Sequence, residues 1–198
     1  MGQHYLKPLF SPESVAIFGA SDRVDSVGQI VLSNMLKSGY KGALFPINPK
    51  HKEIQGHKAY ASLFQVSEII ELAVIATPAQ TVPDIIEDCG KHGIKAAVII
   101  SAGFSETGAT GRALECAVLE NARRYGIRLL GPNCLGIMRP DRGLNATFNK
   151  GSVNAGNLAF VSQSGALCTA ILDWAQTNDV GFSSVVSLGS SADVDFGE

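Results

Sequence analysis

Two hydrophobic rhythms take turns along the chain. Short, continuous apolar runs stand between longer stretches in which apolar residues recur at helical spacing. The runs VAIFG (15–19), ALFPIN (43–48), LAVIAT (72–77), AAVIIS (96–101) and RLLG (128–131) predict five strands. Residues 28–37, 83–91 and 110–125 between them read as helices. Ile30, Val31, Met35 and Leu36 give the first its apolar side. Pro83 suits the opening turn of the second, where its missing N–H costs nothing, and Gly126 stops the third. The strands do not alternate apolar with polar, which marks a parallel sheet buried on both faces. Strand–helix alternation with right-handed crossovers then gives a doubly wound α/β fold.

After Leu144 the texture loosens into NATFNKGSVNAGN, rich in Asn and Gly. A domain boundary is expected near Lys150, dividing the chain into 1–150 and 151–198. LAFVS (158–162), a helix carrying Leu167, Ile171, Leu172 and Trp174, and SSVVSLG (183–189) open a second α/β unit. Two strands and a helix bury too little for a core of their own. The 198 residues therefore read as a piece of a longer protein.

Composition narrows the function classes. A net charge of −2 supplies no global field toward nucleic acid or an anionic membrane, so any anion site must be built locally. No apolar run approaches membrane-spanning length, and the start lacks a signal core. Cys89, Cys116, Cys134 and Cys168 are scattered without a C-x-x-C pair, as expected of free thiols in a reducing, cytoplasmic setting. No metal-ligand pattern is present.

In a doubly wound sheet, ligands sit beyond the carboxyl ends of the strands. The first predicted strand runs into Gly19-Ala20-Ser21, with Arg23 in the loop and the next glycine only at Gly28. That spacing misses the G-x-G-x-x-G dinucleotide fingerprint. It still offers small residues and a helix N-terminus to an anion, as a plain α/β turn also would. The second strand ends in Asn48-Pro49-Lys50, an amide and a cation where an NAD site places an acid. Lys50 suits a phosphate on an adenosine ribose, as in coenzyme A or NADP, or is simply exposed. Thr77-Pro78 and Ser101-Ala102-Gly103 follow the third and fourth strands, and GPNCLG, with Asn133 and Cys134, follows the fifth.

Taken in order, GASDRVDSVG, INPK, ATPAQ, SAGFSETG, GPNCLG and VSQSGAL resemble the NDP-forming acyl-CoA synthetase superfamily across essentially the whole chain. That superfamily includes the succinyl-CoA synthetase α subunit and the ADP-forming acetyl-CoA synthetases. The resemblance implies a Rossmann-like CoA-binding domain followed by the first part of a flavodoxin-like domain. It implies that Gly19, Ala20, Ser21, Arg23 and Gly28 line the phosphate end, and that Asn48, Pro49 and Lys50 meet the adenosine. Thr77, Pro78, Ser101, Ala102 and Gly103 would track the pantetheine, with Asn133 and Cys134 near the thiol. Even there Cys134 reads first as a packed small hydrophobe, since nothing adjacent suggests an activated thiolate.

Ser162-Gln163-Ser164-Gly165 forms a second candidate cradle, with a helix dipole behind it. In the superfamily the matching element faces a phosphorylated histidine. His4, His51, His57 and His92 all precede it, so none fits that carrier. The implied parent reaction joins an acid, CoA and ATP into acyl-CoA, ADP and phosphate. ATP, ADP and magnesium would belong to further domains or a partner subunit, and this piece would bind CoA or acyl-CoA without a catalytic residue. Ser190 follows Gly189 where the synthetases usually show Gly-Asn. This leaves open a catalytically inert CoA sensor attached to a lysine acetyltransferase. An NADP-dependent oxidoreductase is the third reading.

Overall fold

The computed structural model describes residues 5–151 and 153–198. In chain order they form α1 (Lys7–Phe10), β1 (Ser14–Phe18), α2 (Val27–Lys37), β2 (Ala43–Ile47), β3 (Glu53–Ile54), β4 (His57–Lys58), β5 (Leu72–Ile75) and α3 (Val82–His92). There follow β6 (Ala96–Ile99), α4 (Ala109–Tyr125), β7 (Arg128–Leu130), β8 (Gly136–Arg139), β9 (Leu144–Thr147), β10 (Ala155–Ser162), α5 (Gly165–Thr177) and β11 (Phe182–Ser187). Helix ends follow the expected chemistry. Pro83 lies in the first turn of α3, and Gly93 and Gly126 close α3 and α4 in the left-handed conformation that glycine adopts freely.

The first sheet is fully parallel, in the order β2-β1-β5-β6-β7. β1, β5 and β6 are buried at every position. Alternate residues serve opposite faces. Val15, Ile17, Leu72, Val74, Ala96 and Val98 pack with Val31, Leu32 and Met35 of α2. Ala16, Phe18, Ala73, Ile75, Ala97 and Ile99 pack with Ile86 of α3 and Val118 of α4. Two covered faces explain the unbroken apolar runs. β2 and β5 flank β1 on opposite sides, so the strand order reverses there and opens a crevice at the carboxyl ends.

A second sheet, ordered β10-β11-β8-β9, mixes one parallel pairing with two antiparallel ones. Its strands β8 and β9 lie in the stretch where the hydrophobic pattern predicts none. Short antiparallel strands need little sequence, and β9 hides its polar positions by pairing them. The Thr147 hydroxyl lies 2.7 Å from Asn145 Oδ1, and both residues are buried. Ile137, Ala146 and Val186 of this sheet, with Leu188 just after β11, join the core cluster on the α2 side of the first sheet. Cys168, Leu172 and Ala175 of α5 cover the other face. The four-stranded sheet thus draws half its strands from residues before Lys150.

Candidate functional site

Two clefts open along the rim. The first, of about 790 Å³, is lined by Gly19, Ser21, Arg23, Gly28, Asn48, Pro49, Lys50, Thr77 and Pro78. The second, of about 730 Å³, is lined by Thr77, Ser101, Ala102, Asn133, Cys134 and Gly165. Val27, Ala76 and Thr77 line both, so the two form one groove. Four of the expected residues do not line it. Ala20 is buried in the core, and Gly103, Ser162 and Ser164 are not among the lining residues, Ser164 being exposed.

Glycine is required where the rim is tightest. A Cβ on Gly19, which has φ +82°, would lie 2.5 Å from the Ala76 carbonyl oxygen. A Cβ on Gly28 would lie 1.9 Å from the Gly19 carbonyl oxygen. The first turn of α2 therefore sits directly on the end of β1 and aims its positive end along the groove. Ser26 caps that helix, its hydroxyl accepting from the Gln29 N–H at 3.4 Å and donating to the Arg23 carbonyl at 2.8 Å. The Ser21 hydroxyl accepts the Arg23 N–H at 2.9 Å.

Neighbouring loops are stitched to this one. Asn48 Nδ2 donates to the Ala20 carbonyl at 2.8 Å, and Asn48 Oδ1 accepts the Lys50 N–H at 2.9 Å. The Asn48 side chain is thus committed to protein. Gln55, in the turn between β3 and β4, donates from its N–H to Asp22 Oδ1 at 2.8 Å and from Nε2 to the Gln29 carbonyl at 2.9 Å.

Along the middle of the groove, the Ser101 hydroxyl donates to the Thr77 carbonyl at 2.6 Å, and the Asn133 N–H donates to the Ser101 carbonyl at 3.0 Å. Behind them, the Gly103 and Phe104 amides donate to the Glu106 carboxylate at 2.6 and 3.1 Å. Desolvation pushes that carboxyl up, but the amides of Gly103, Glu106 and Phe104 outweigh it and hold Glu106 below the usual range.

Cys134 is 2% exposed, and its thiol donates to the Ile99 carbonyl at 3.4 Å. Burial pushes its pKa up to about 12, so it packs as a neutral thiol. Beyond it stands the first turn of α5. The Ser164 hydroxyl accepts the Leu167 N–H at 3.2 Å, and the Ser162 hydroxyl accepts the Ser164 N–H at 3.1 Å. Gly189 brings the loop after β11 against this end. Its φ is +58°, and a Cβ there would lie 2.3 Å from the Pro132 carbonyl oxygen. Ser190 then donates its N–H to that carbonyl at 2.9 Å and lines the second cleft.

Charge is divided along the groove. Arg23, Lys50 and Asp88 line the first cleft, and burial raises the Asp88 carboxyl pKa. No charged side chain lines the second, among the described residues. None of the described histidines lines either cleft; His51 and His57 are exposed, and His4 lies outside the described residues. The sequence reading missed Thr81, Ile85 and Asp88, although their spacing of four and three sets them on one helical face. It also missed Val27 and Phe148. Phe148 lies in a loop with no periodicity to flag it.

Comparisons with known proteins identify the family. The family model described as CoA binding domain matches residues 13–140, and that described as succinyl-CoA ligase like flavodoxin domain matches 155–198. The acetate–CoA ligase (ADP-forming) of Methanocaldococcus jannaschii is 48% identical over 194 residues, covering 98% of this chain and 27% of that protein. The α subunit of acetate–CoA ligase (ADP-forming) I of Pyrococcus furiosus is 42% identical, covering 96% of this chain and 42% of that one. The solved structure of Ca. Korarchaeum cryptofilum acetyl-coenzyme A synthetase 1 in complex with phosphate and ADP superimposes with TM-score 0.92 at 42% identity, over 96% of this chain and 41% of that one. The chain thus spans less than half the length of these relatives. None of them supports the acetyltransferase or the NADP oxidoreductase alternative. The chain belongs to the CoA binding domain family and carries the CoA-binding region of the NDP-forming acyl-CoA synthetase superfamily, continued into the succinyl-CoA ligase-like flavodoxin domain.

Proposed function

We propose that the groove holds coenzyme A lengthwise. The division of charge along it supports this reading above all. CoA is a polyanion at its nucleotide end and uncharged along its pantetheine arm. The cleft with Arg23 and Lys50, against the one carboxylate of Asp88, suits the first, and the cleft without charged residues suits the second. Lys50 meets the 3′-phosphate. Gly19, Ser21 and Gly28 face the diphosphate, where the N-terminus of α2 adds its dipole. Asn48 and Ala20 shape that loop from behind. Thr77, Ser101 and Ala102 follow the pantetheine, and Asn133, packed Cys134 and the first turn of α5 surround the thiol end.

In the full protein this region delivers the CoA thiol to an activated acyl group. The proposed overall reaction is acid, CoA and ATP to acyl-CoA, ADP and phosphate. ATP binding, magnesium and the phosphoryl carrier fall to the parts of the relatives that this chain does not align with, in one polypeptide or in a partner subunit. Alone, the chain binds CoA or acyl-CoA without turnover. A cytoplasmic setting suits its four free cysteines, and no helix among the described residues is long and apolar enough to cross a membrane.

Calorimetric titration with CoA, dephospho-CoA and NADP tests the reading. CoA binds, and loss of the 3′-phosphate weakens binding by up to about tenfold, the scale of an exposed ion pair. Tighter binding of NADP than of CoA would overturn it.

A further inference from the structure

Phe148 is an aromatic residue left 36% exposed, directly after β9. It packs into none of the hydrophobic clusters of the described residues. Yet its backbone is held on both sides. Asn34 of α2 donates from Nδ2 to the carbonyl oxygens of Thr147 and Asn149, each at 2.8 Å. The Asn149 N–H donates to the Thr147 hydroxyl at 3.3 Å, and both residues are buried. An apolar ring on a rigid mount, lining a cleft, is the arrangement of a binding side chain rather than a core one.

Val27 lines the same cleft, is 38% exposed, and also lines the charged cleft. It opens α2 beside Gly28, so it stands where the groove passes from its charged part to its uncharged part. In CoA the group that follows the diphosphate is the pantoyl unit, whose quaternary carbon carries two methyl groups. With the diphosphate at Gly19 and Gly28, that unit must pass Val27 to enter the second cleft. We propose that Val27 and Phe148 form the apolar seat of the gem-dimethyl group, and that Asn34 is the positioning residue that holds Phe148 there. This assignment rests on the CoA reading of the groove.

The test is calorimetric titration of the whole chain with two probes, CoA and adenosine 3′,5′-bisphosphate, which keeps the phosphorylated nucleotide and lacks the arm. Phe148→Ala weakens CoA by about tenfold, the scale of losing a partly exposed ring from an apolar contact, and leaves the bisphosphate within about twofold. Phe148→Leu keeps most of the CoA affinity. Asn34→Ala narrows the preference for CoA over the bisphosphate without weakening the bisphosphate. Should Phe148→Ala fail to fold, Val27→Ala shows the same selective loss. Equal weakening of both probes, or unchanged CoA affinity, overturns the seat and leaves the CoA reading standing. A wild-type chain that binds no CoA removes the CoA reading, and the seat with it.

Discussion

Asn48 Nδ2 and the carbonyl oxygen of Ala20 lie 2.8 Å apart, and this bond ties the loop after β2 to the loop after β1. The other end of the same amide accepts the Lys50 N–H. One side chain thereby sets where the loop after β1 and Lys50 stand relative to each other. Asn48→Ala leaves the Ala20 carbonyl without this partner and frees the lysine loop. A hydrogen bond of this kind contributes about 0.5–1.5 kcal/mol. CoA affinity should fall by roughly twofold to tenfold, and calorimetry should show the bisphosphate nucleotide weakened in parallel.

If Lys50 meets the 3′-phosphate as proposed, it acts through charge. Lys50→Ala should bring CoA down to the affinity of dephospho-CoA, a loss of up to about tenfold, and leave dephospho-CoA unchanged. The gap between the two ligands in the wild type should shrink as salt rises, because the pair is exposed. An equal loss on both ligands would place the 3′-phosphate elsewhere.

Gly28→Ala tests the tightest packing on the rim. The added methyl would meet the Gly19 carbonyl at 1.9 Å, a backbone atom that cannot swing aside. Overpacking of this sort costs about 1–3 kcal/mol, or about 2–12 °C in Tm for a chain of this size. Differential scanning calorimetry should record that drop together with loss of CoA binding.

The thiols should divide by burial. Cys116 is exposed, while Cys89, Cys134 and Cys168 are buried, and burial raises the pKa of each of the three. An aromatic disulfide reagent at pH 8 should therefore label Cys116 promptly and the other three only after denaturation. Rapid native labelling of Cys134 would contradict its role as a packed thiol.

Glu106 predicts a pH dependence. Its folded pKa is depressed by the backbone amides it accepts from, so the carboxylate favours the fold at neutral pH. That contribution is present above the unfolded glutamate pKa and is lost as pH falls through the lower folded value. Thermal melts of wild type and Glu106→Gln should differ at pH 7 and converge as pH falls below about 4. A difference that persists or widens in acid would refute the assignment.

Much of this protein is legible in its order of residues. The parallel strands stand out because the inner strands of a sheet covered on both faces need apolar residues at every position, and Ala16 and Ile17 are buried equally on opposite faces. The helix limit at Gly126 and the small residues at Gly19 and Gly28 are local demands of backbone geometry, and a local demand leaves a local mark. What only the tertiary structure decides is which distant pieces meet. β8 and β9 leave the first sheet to join β10 and β11, a pairing made by backbone hydrogen bonds that encode no residue type. Phe148 lines the groove beside two carbonyls that Asn34, more than a hundred positions earlier, clamps. Asn48 turns inward to hold Ala20 for the same reason. A side chain's partner is set by the packing of whole sheets, and no neighbouring residue in the sequence records that choice.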